Sequence, residues 1–360
     1  MTTPPLPASH AARNALVLIA VVVGGAALHW LAAILTPLAL ALFLMVMTDG
    51  MARSLRARAP ALGGAALGVG IALSVIGFAL IVFFVAENGA TFVGRLMADQ
   101  AKLDMLLTNL ARASHVALPH TVNQLLARID LGQFVPAVAG GVQSLLSNGL
   151  FVLVYLGFML AARGGFERKA VRLFREREDR RDALQVFLRV RDSLEQYLWI
   201  QTICGAIIAL GGWAIMLAVG LESAFFWAFL IFVLNYIPIV GAAIAIIAPV
   251  LFALVEFRSY GPGLSLLGGL LALTFIVGNI LLPRMQGKRL NLDPVMVLFS
   301  LGFWGAIWGV TGMFLSTPLT MLAMVILAQF EGSRWIAVLL SADGDPHSLG
   351  EASARAPASG

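Results

Sequence analysis

The sequence predicts an all-α polytopic membrane protein, with about six transmembrane helices and two re-entrant helical hairpins of opposite orientation. Three observations carry that expectation. Hydrophobic residues make up 60% of the 360 and charged residues only 12%, where a soluble domain carries about 25% charged residues. The apolar stretches are continuous, long enough to span a bilayer as helices, and lack the alternation of barrel strands. Two of them are interrupted by helix-breaking residues, in "NYIPIVG" (235–241) and "GVTGMFLSTP" (309–318).

The apolar runs cover 14–34, 35–48, 61–86, 143–162, 197–219, 224–256, 263–283 and 295–330. The first is too long for a signal peptide and lacks a clear small-residue cleavage site, so it reads as a retained helix. Charged loops orient the others. Arg53, Arg56 and Arg58 follow the second run, Arg284, Lys288 and Arg289 follow 283, and 163–195 carries ten Lys/Arg against seven Asp/Glu. The positive-inside rule places all three in the cytoplasm. Segment 87–142 is balanced in charge and belongs on the outer side. Its Val93, Leu96, Met97, Leu103, Leu107 and Leu110 share one helical face.

Crossing parity then singles out the sixth run. With the N-terminus inside, five crossings end outside near Glu222, and the seventh run must begin outside to finish at Arg284. The run 224–256 therefore enters and leaves on one side. Its arms, 225–236 and 242–256, are about 18 and 22 Å of helix, too short for a core of about 30 Å. The last run repeats the pattern from the cytoplasmic side, as a hairpin or as one long helix kinked at Gly312 or Pro318.

The chain divides accordingly. Residues 1–86 hold the N-terminal transmembrane helices and 87–142 the outer amphipathic segment. Residues 143–196 hold a crossing and a charge-laced cytoplasmic helix, whose acids and bases lie at i,i+4 spacing. Residues 197–330 form a core with both hairpins. The small, polar stretch 331–360 is a cytoplasmic tail, expected to be partly disordered.

Composition also excludes chemistry. The net charge of +5 resides in membrane-flanking loops, so nucleic acid is not implied. Cys204 is the single cysteine, so neither an intrachain disulfide nor a thiolate metal site can form. No phosphate-binding G-x-x-x-x-G-K-[ST] loop occurs, and no cofactor is expected. His10, His29, His115, His120 and His347 lie near the termini or in outer segments, without metal-ligand spacing on an inner helix.

What remains is polar groups at membrane depth, where broken helices form substrate and ion sites in secondary transporters. Asn235 and Tyr236 stand at the first tip, as substrate contacts or as partners for the backbone broken at Pro238. Gly241 permits a left-handed turn or close helix approach. Thr311, Gly312, Ser316, Thr317 and Pro318 take the matching places in the second segment. Asn279, four residues before Pro283, is an amide inside a span and needs a partner. Glu256 and Asp293, at the ends of the two segments, are the candidate coupling acids, since no carboxylate lies deeper.

"VLNYIPIVGAAIAIIAP" and "GNILLPRMQGKRLNLDPVMVLFSLGFWGAIWGVTGMFLSTPLTM" resemble the signatures of the autoinducer-2 exporter family. The matching positions are Asn235, Tyr236, Pro238, Gly241, Asn279, Pro283, Gly287, Asp293, Pro294, Gly309, Gly312 and Pro318. The likeness covers 197–330 strongly and the N-terminal half in pattern only. It implies a transporter of the bacterial inner membrane, with both termini cytoplasmic, built as a homo-oligomer for which a pentamer is one form. The expected activity is export of a small polar solute, with the furanone autoinducer-2 the implied candidate. Monovalent-cation (Na+/Li+)/proton antiport and a non-transporting membrane scaffold are the alternatives. The expected partners are membrane lipid and the small-molecule or cation substrate.

Overall fold

The computed structural model describes residues 19, 22–60, 65–98, 148–162, 177–257, 259–286 and 291–345. Among these, structure is helical apart from one isolated bridge between Leu292 and Ser341. The helices in chain order are α1 (22–30), α2 (Ala32–Arg58), α3 (Ala65–Ala98), α4 (Asn148–Ala162), α5 (Arg177–Val219), α6 (Ala224–Leu234), α7 (Val240–Phe257) and α8 (Tyr260–Ile276). A π-helical turn (Val277–Leu281) leads into α9 (Leu282–Gln286), followed by α10 (Pro294–Ala328) and α11 (Arg334–Leu340). Four stretches among the described residues are long and apolar enough to cross a membrane: Ala32–Arg58, Val190–Val219, Tyr260–Met285 and Pro294–Ala328.

Several boundaries differ from the sequence expectation. Runs 14–34 and 35–48 are not separated by a loop. Helices 22–30 and 32–58 are separated by a single break residue, Leu31 (φ −86°, ψ 6°). The Leu31 N–H still donates to the Ala27 carbonyl at 2.9 Å, and Leu35 N–H to Leu31 at 2.9 Å. Pro37 lies inside α2; a proline is tolerated in a membrane helix when neighbours satisfy the carbonyl it frees. The described part of the charged segment, from Arg177, and run 197–219 are fused into α5, a helix of 43 residues and about 64 Å. Helix α3 runs on to Ala98, past the expected end of its span. The rest of the segment expected on the outer side, 99–142, and the tail from 346 lie outside the described residues.

The π-turn has a local cause. Pro283 cannot donate to the carbonyl of Asn279, and its ring crowds that carbonyl. Widening the preceding turn to the π pattern relieves the clash.

Lipid tails are as apolar as leucine, so helix association in a membrane rests on close packing. The face between α5 and α8 is built that way: Gly211, Gly212 and Gly269 leave room that Leu273, Leu270 and Ile215 fill. This face belongs to a core of α5, α6, α7 and α8 centred on Met216, Trp227, Ile231, Leu266 and Leu270. A second core joins α2, α5, α10 and α11 around Phe43, Tyr197, Tyr236, Leu315 and Met321. A third packs α4 on α2 and α3 through Val152 and Leu156. The long helix α5 contributes to the first two and ties them together. Near its charged end it is ion-paired to α2 through Glu195 and Arg53.

Two segments reverse direction. Helices α6 and α7, of 11 and 18 residues, are joined by a turn at 235–239. Their far ends meet again: the Glu222 N–H donates to Glu256 Oε1 at 2.8 Å, and the Trp227 and Phe252 rings lie 5.5 Å apart. In α10 the chain breaks at Gly309 (φ 62°, ψ −142°). Trp304 Nε1 then donates to Thr320 Oγ1 at 3.1 Å, whereas a straight helix would hold these residues about 24 Å apart. The chain therefore turns at Gly309, and Pro318, one of the two kink positions expected from sequence, lies within the returning helix.

Candidate functional site at the junction of the two reversals

The tip of the first reversal meets the returning arm of the second. Tyr236, at the first tip, is buried, and its ring lies 5.1 Å from Phe314 on the returning arm of the second. Phe43 of α2 packs edge-on against both, at 6.3 Å from Tyr236 and 5.4 Å from Phe314. Helix α5 supplies the polar side of this junction. Tyr236 Oη is 2.7 Å from Thr202 Oγ1. Asn235 Nδ2 donates to the Gln201 carbonyl at 3.2 Å, and Gln201 Nε2 donates back to the Asn235 carbonyl. This reciprocal amide pair satisfies the backbone that the break exposes. Gly205 leaves space for it, since a Cβ there would come within 3.0 Å of Asn235 Nδ2.

Each turn is closed by a glycine pressed on a carbonyl. A Cβ on Gly241 would overlap the Leu234 carbonyl oxygen, and one on Gly312 would overlap that of Trp304. Of the two roles expected for Gly241, the structure assigns close approach. The left-handed residue is Ile239, at φ 61°, directly after Pro238.

In the second tip most hydroxyls serve their own helix. Ser316 Oγ donates to the Met313 carbonyl at 2.8 Å, and Thr320 Oγ1 donates to Ser316 at 2.7 Å. Thr317 Oγ1 is buried without a partner in hydrogen-bonding geometry among the described residues. Thr311 is half-buried beside the turn. Pro318 lines an apolar crevice of about 40 Å³ together with Phe43, Leu198 and Leu315, which offers nothing to a polar solute.

A comparison with known families decides what kind of protein this is: residues 18–332 match the model of the AI-2E family transporter. The chain belongs to the AI-2E family of transporters. It is 31% identical to the AI-2 transport protein TqsA of Escherichia coli (strain K12) over 325 residues, covering 87% of this chain and 91% of TqsA. A putative transport protein of Haemophilus influenzae (strain Rd) is 33% identical over 208 residues, covering 58% of this chain and 60% of its own. The putative transport protein YhhT of Escherichia coli (strain K12) is 34% identical over 153 residues, or 42% of this chain and 43% of YhhT.

For this AI-2E member the remaining candidates lie away from the junction. Asn279 is exposed on the π-turn, where its amide donates to the Phe275 carbonyl at 3.0 Å within its own helix. Asp293 caps α10: its carboxylate accepts from Val295 N–H at 2.8 Å and Met296 N–H at 3.2 Å. Glu256 accepts from Glu222 at the base of the first reversal. Both carboxylates thus sit at the ends of the reversals and not at their tips. Sequence reasoning missed Gln201, Thr202, Tyr197, Phe43 and Phe314. A cue existed only for the first two, adjacent polar residues on an apolar helix.

Proposed function

We propose that this protein is a secondary transporter that carries a small polar solute outward, with the two reversals acting as re-entrant hairpins of opposite orientation. The observation that carries the reading is the contact of the first tip with the returning arm of the second reversal, at Tyr236 and Phe314. The arms of α6 and α7 are about 16 and 27 Å long, short of the roughly 30 Å hydrocarbon core. The helix Tyr260–Met285, which links the base of the first reversal to that of the second, has 26 residues and is about 39 Å long. A connection of that length supports bases on opposite faces and a junction at mid-depth. Rearrangement of the Tyr236–Phe314–Phe43 cluster then opens the junction to one side at a time.

Solute chemistry follows from the relatives. TqsA is an AI-2 transport protein, and the furanone autoinducer-2 is the first candidate here. Gln201, Thr202, Asn235 and Tyr236 bond one another as the junction stands, and opening of the junction would exchange those bonds for ones to a small polyhydroxylated solute. The test is efflux of the furanone from energised cells or proteoliposomes, for the parent and for Tyr236→Ala and Phe314→Ala. The reading predicts carrier-dependent efflux in the parent and its loss in both variants. Parent rates equal to empty liposomes overturn it for this solute.

The same reading bears on topology. With Arg53, Arg56 and Arg58 inside, α2 brings its other end, at Leu31, toward the outer face, and we infer that segment 22–30 lies on that side of the break. Thiol labelling of a cysteine at Val22, in a Cys204→Ser background, decides this.

A further inference from the structure

The second tip is held by a part of the chain that sequence reading set aside. His29 Nδ1 lies 2.8 Å from the Ile307 carbonyl oxygen, and Trp308 Nε1 donates to the Leu28 carbonyl at 3.0 Å. The two bonds are reciprocal: each aromatic donor reaches the carbonyl of the residue just before the other. Both carbonyls adjoin helix breaks, at Leu31 (ψ 6°) and at Gly309 (φ 62°). Inside a bilayer no water is present to satisfy carbonyls freed by a break, and each one left open costs several kcal/mol. A carbonyl can only accept, so the Nδ1 of His29 carries the proton. Around this pair the packing is thin. Val22, Val23 and Trp30 of the first helical segment are 63%, 60% and 83% exposed, so two polar bonds rather than a packed face fix the contact.

We propose that His29 and Trp308 are positioning residues which cap each other's helix break and so set where the tip of the second reversal sits. The consequence is that the second tip cannot move unless the segment around 28–31 moves with it or both bonds open. The inference rests on reading this reversal as a moving part of the transport path, but its test needs no substrate. Amide hydrogen exchange on the purified full-length protein follows peptides covering 305–313, with 234–242 at the first tip as internal control. His29→Ala and Trp308→Phe are each expected to speed exchange at the second tip about fivefold, the factor for a loss near 1 kcal/mol of local stability. The first tip stays unchanged. His29→Asn, whose amide can donate in place of Nδ1–H, restores protection, and the double variant exceeds neither single by much, because the bonds share one contact. Transport of the furanone in the two loss variants is expected to fall in maximal rate with the half-saturating concentration preserved. Unchanged exchange at 305–313 in both loss variants overturns the proposal. So does an equal rise at both tips, which would mark general loosening.

Discussion

The two reversals close by the same device and are supported in different ways. In each, a glycine without a Cβ lies against a carbonyl of the incoming arm, Gly241 on Leu234 and Gly312 on Trp304. Beyond that they diverge. The first turns through a non-glycine residue with positive φ, Ile239, and is secured by amide and hydroxyl groups of α5. The second turns through Gly309 and is secured by its own arms, from Trp304 to Thr320, and by the segment around His29. Glycine on carbonyl is therefore the shared requirement for folding back, and the polar supports are particular to each tip. The first is anchored to a helix running through two cores. The second hangs on bonds to an exposed segment.

The shared device gives the largest expected effect. Gly241→Ala and Gly312→Ala each place a methyl where a backbone oxygen stands, and backbone yields less than a side chain. Overpacking costs about 1–3 kcal/mol and occasionally more, and both variants belong at the top of that range or above it. Thermal unfolding of the detergent-purified protein should show comparable large losses, or no folded protein at all. Tolerance at one position and not the other would break the parallel between the tips.

Next in size is Gly309→Ala. The pair φ 62°, ψ −142° lies in a region open essentially to glycine alone, and forcing another residue there costs about 1–3 kcal/mol. Open space surrounds this glycine, with nothing within 4 Å of an added Cβ, so any loss in melting temperature reports backbone strain alone.

The polar supports come third, and they separate the tips. Gln201→Leu leaves the Asn235 carbonyl without its donor, and an unsatisfied buried group costs about 1–3 kcal/mol. Trp304→Phe removes one interhelical bond, worth about 0.6 kcal/mol on average in a membrane protein. The first variant should therefore lose more stability than the second. The reverse order would show that the second tip, not the first, is the more firmly anchored.

Much of this arrangement was legible in the sequence, for physical reasons. Proline and glycine inside an apolar run mark a break whatever surrounds them, so Pro238 with Gly241 located the first turn. The stretch 309–318 bracketed the second, but the kink expected at Gly312 or Pro318 lies at Gly309, and Pro318 sits inside the returning helix. Helix fusion was not legible: nothing in the charges of 163–195 says that its helix continues into run 197–219. Nor does composition show that the break near residue 31 spans a single residue rather than a loop, since a crossing boundary and a tolerated proline look alike. Asn235 admitted two roles, and only coordinates show its amide committed to Gln201. The bonds from His29 and Trp308 join residues 278 and 280 apart in sequence, and no local pattern encodes such pairs.

The smallest effect is expected at Ile239, and its sign carries the information. A β-branched residue at φ 61° bears the clash between Cβ and carbonyl that disfavours left-handed backbone by about 1–2 kcal/mol. Glycine removes that clash but adds unfolded-state freedom worth roughly 0.5–1 kcal/mol. Ile239→Gly should therefore be neutral or stabilising by no more than about 1 kcal/mol, opposite in sign to Gly309→Ala. The side chain is 58% exposed, so little packing is lost with it. Strain retained where a glycine would relieve it points to a use for the strained turn. Transport by Ile239→Gly is accordingly expected to slow while the melting temperature holds or rises. A falling melting temperature would mean that the isoleucine is kept for contacts its exposed side chain makes with lipid or another chain, and the two tips would then differ in surroundings rather than in stored strain.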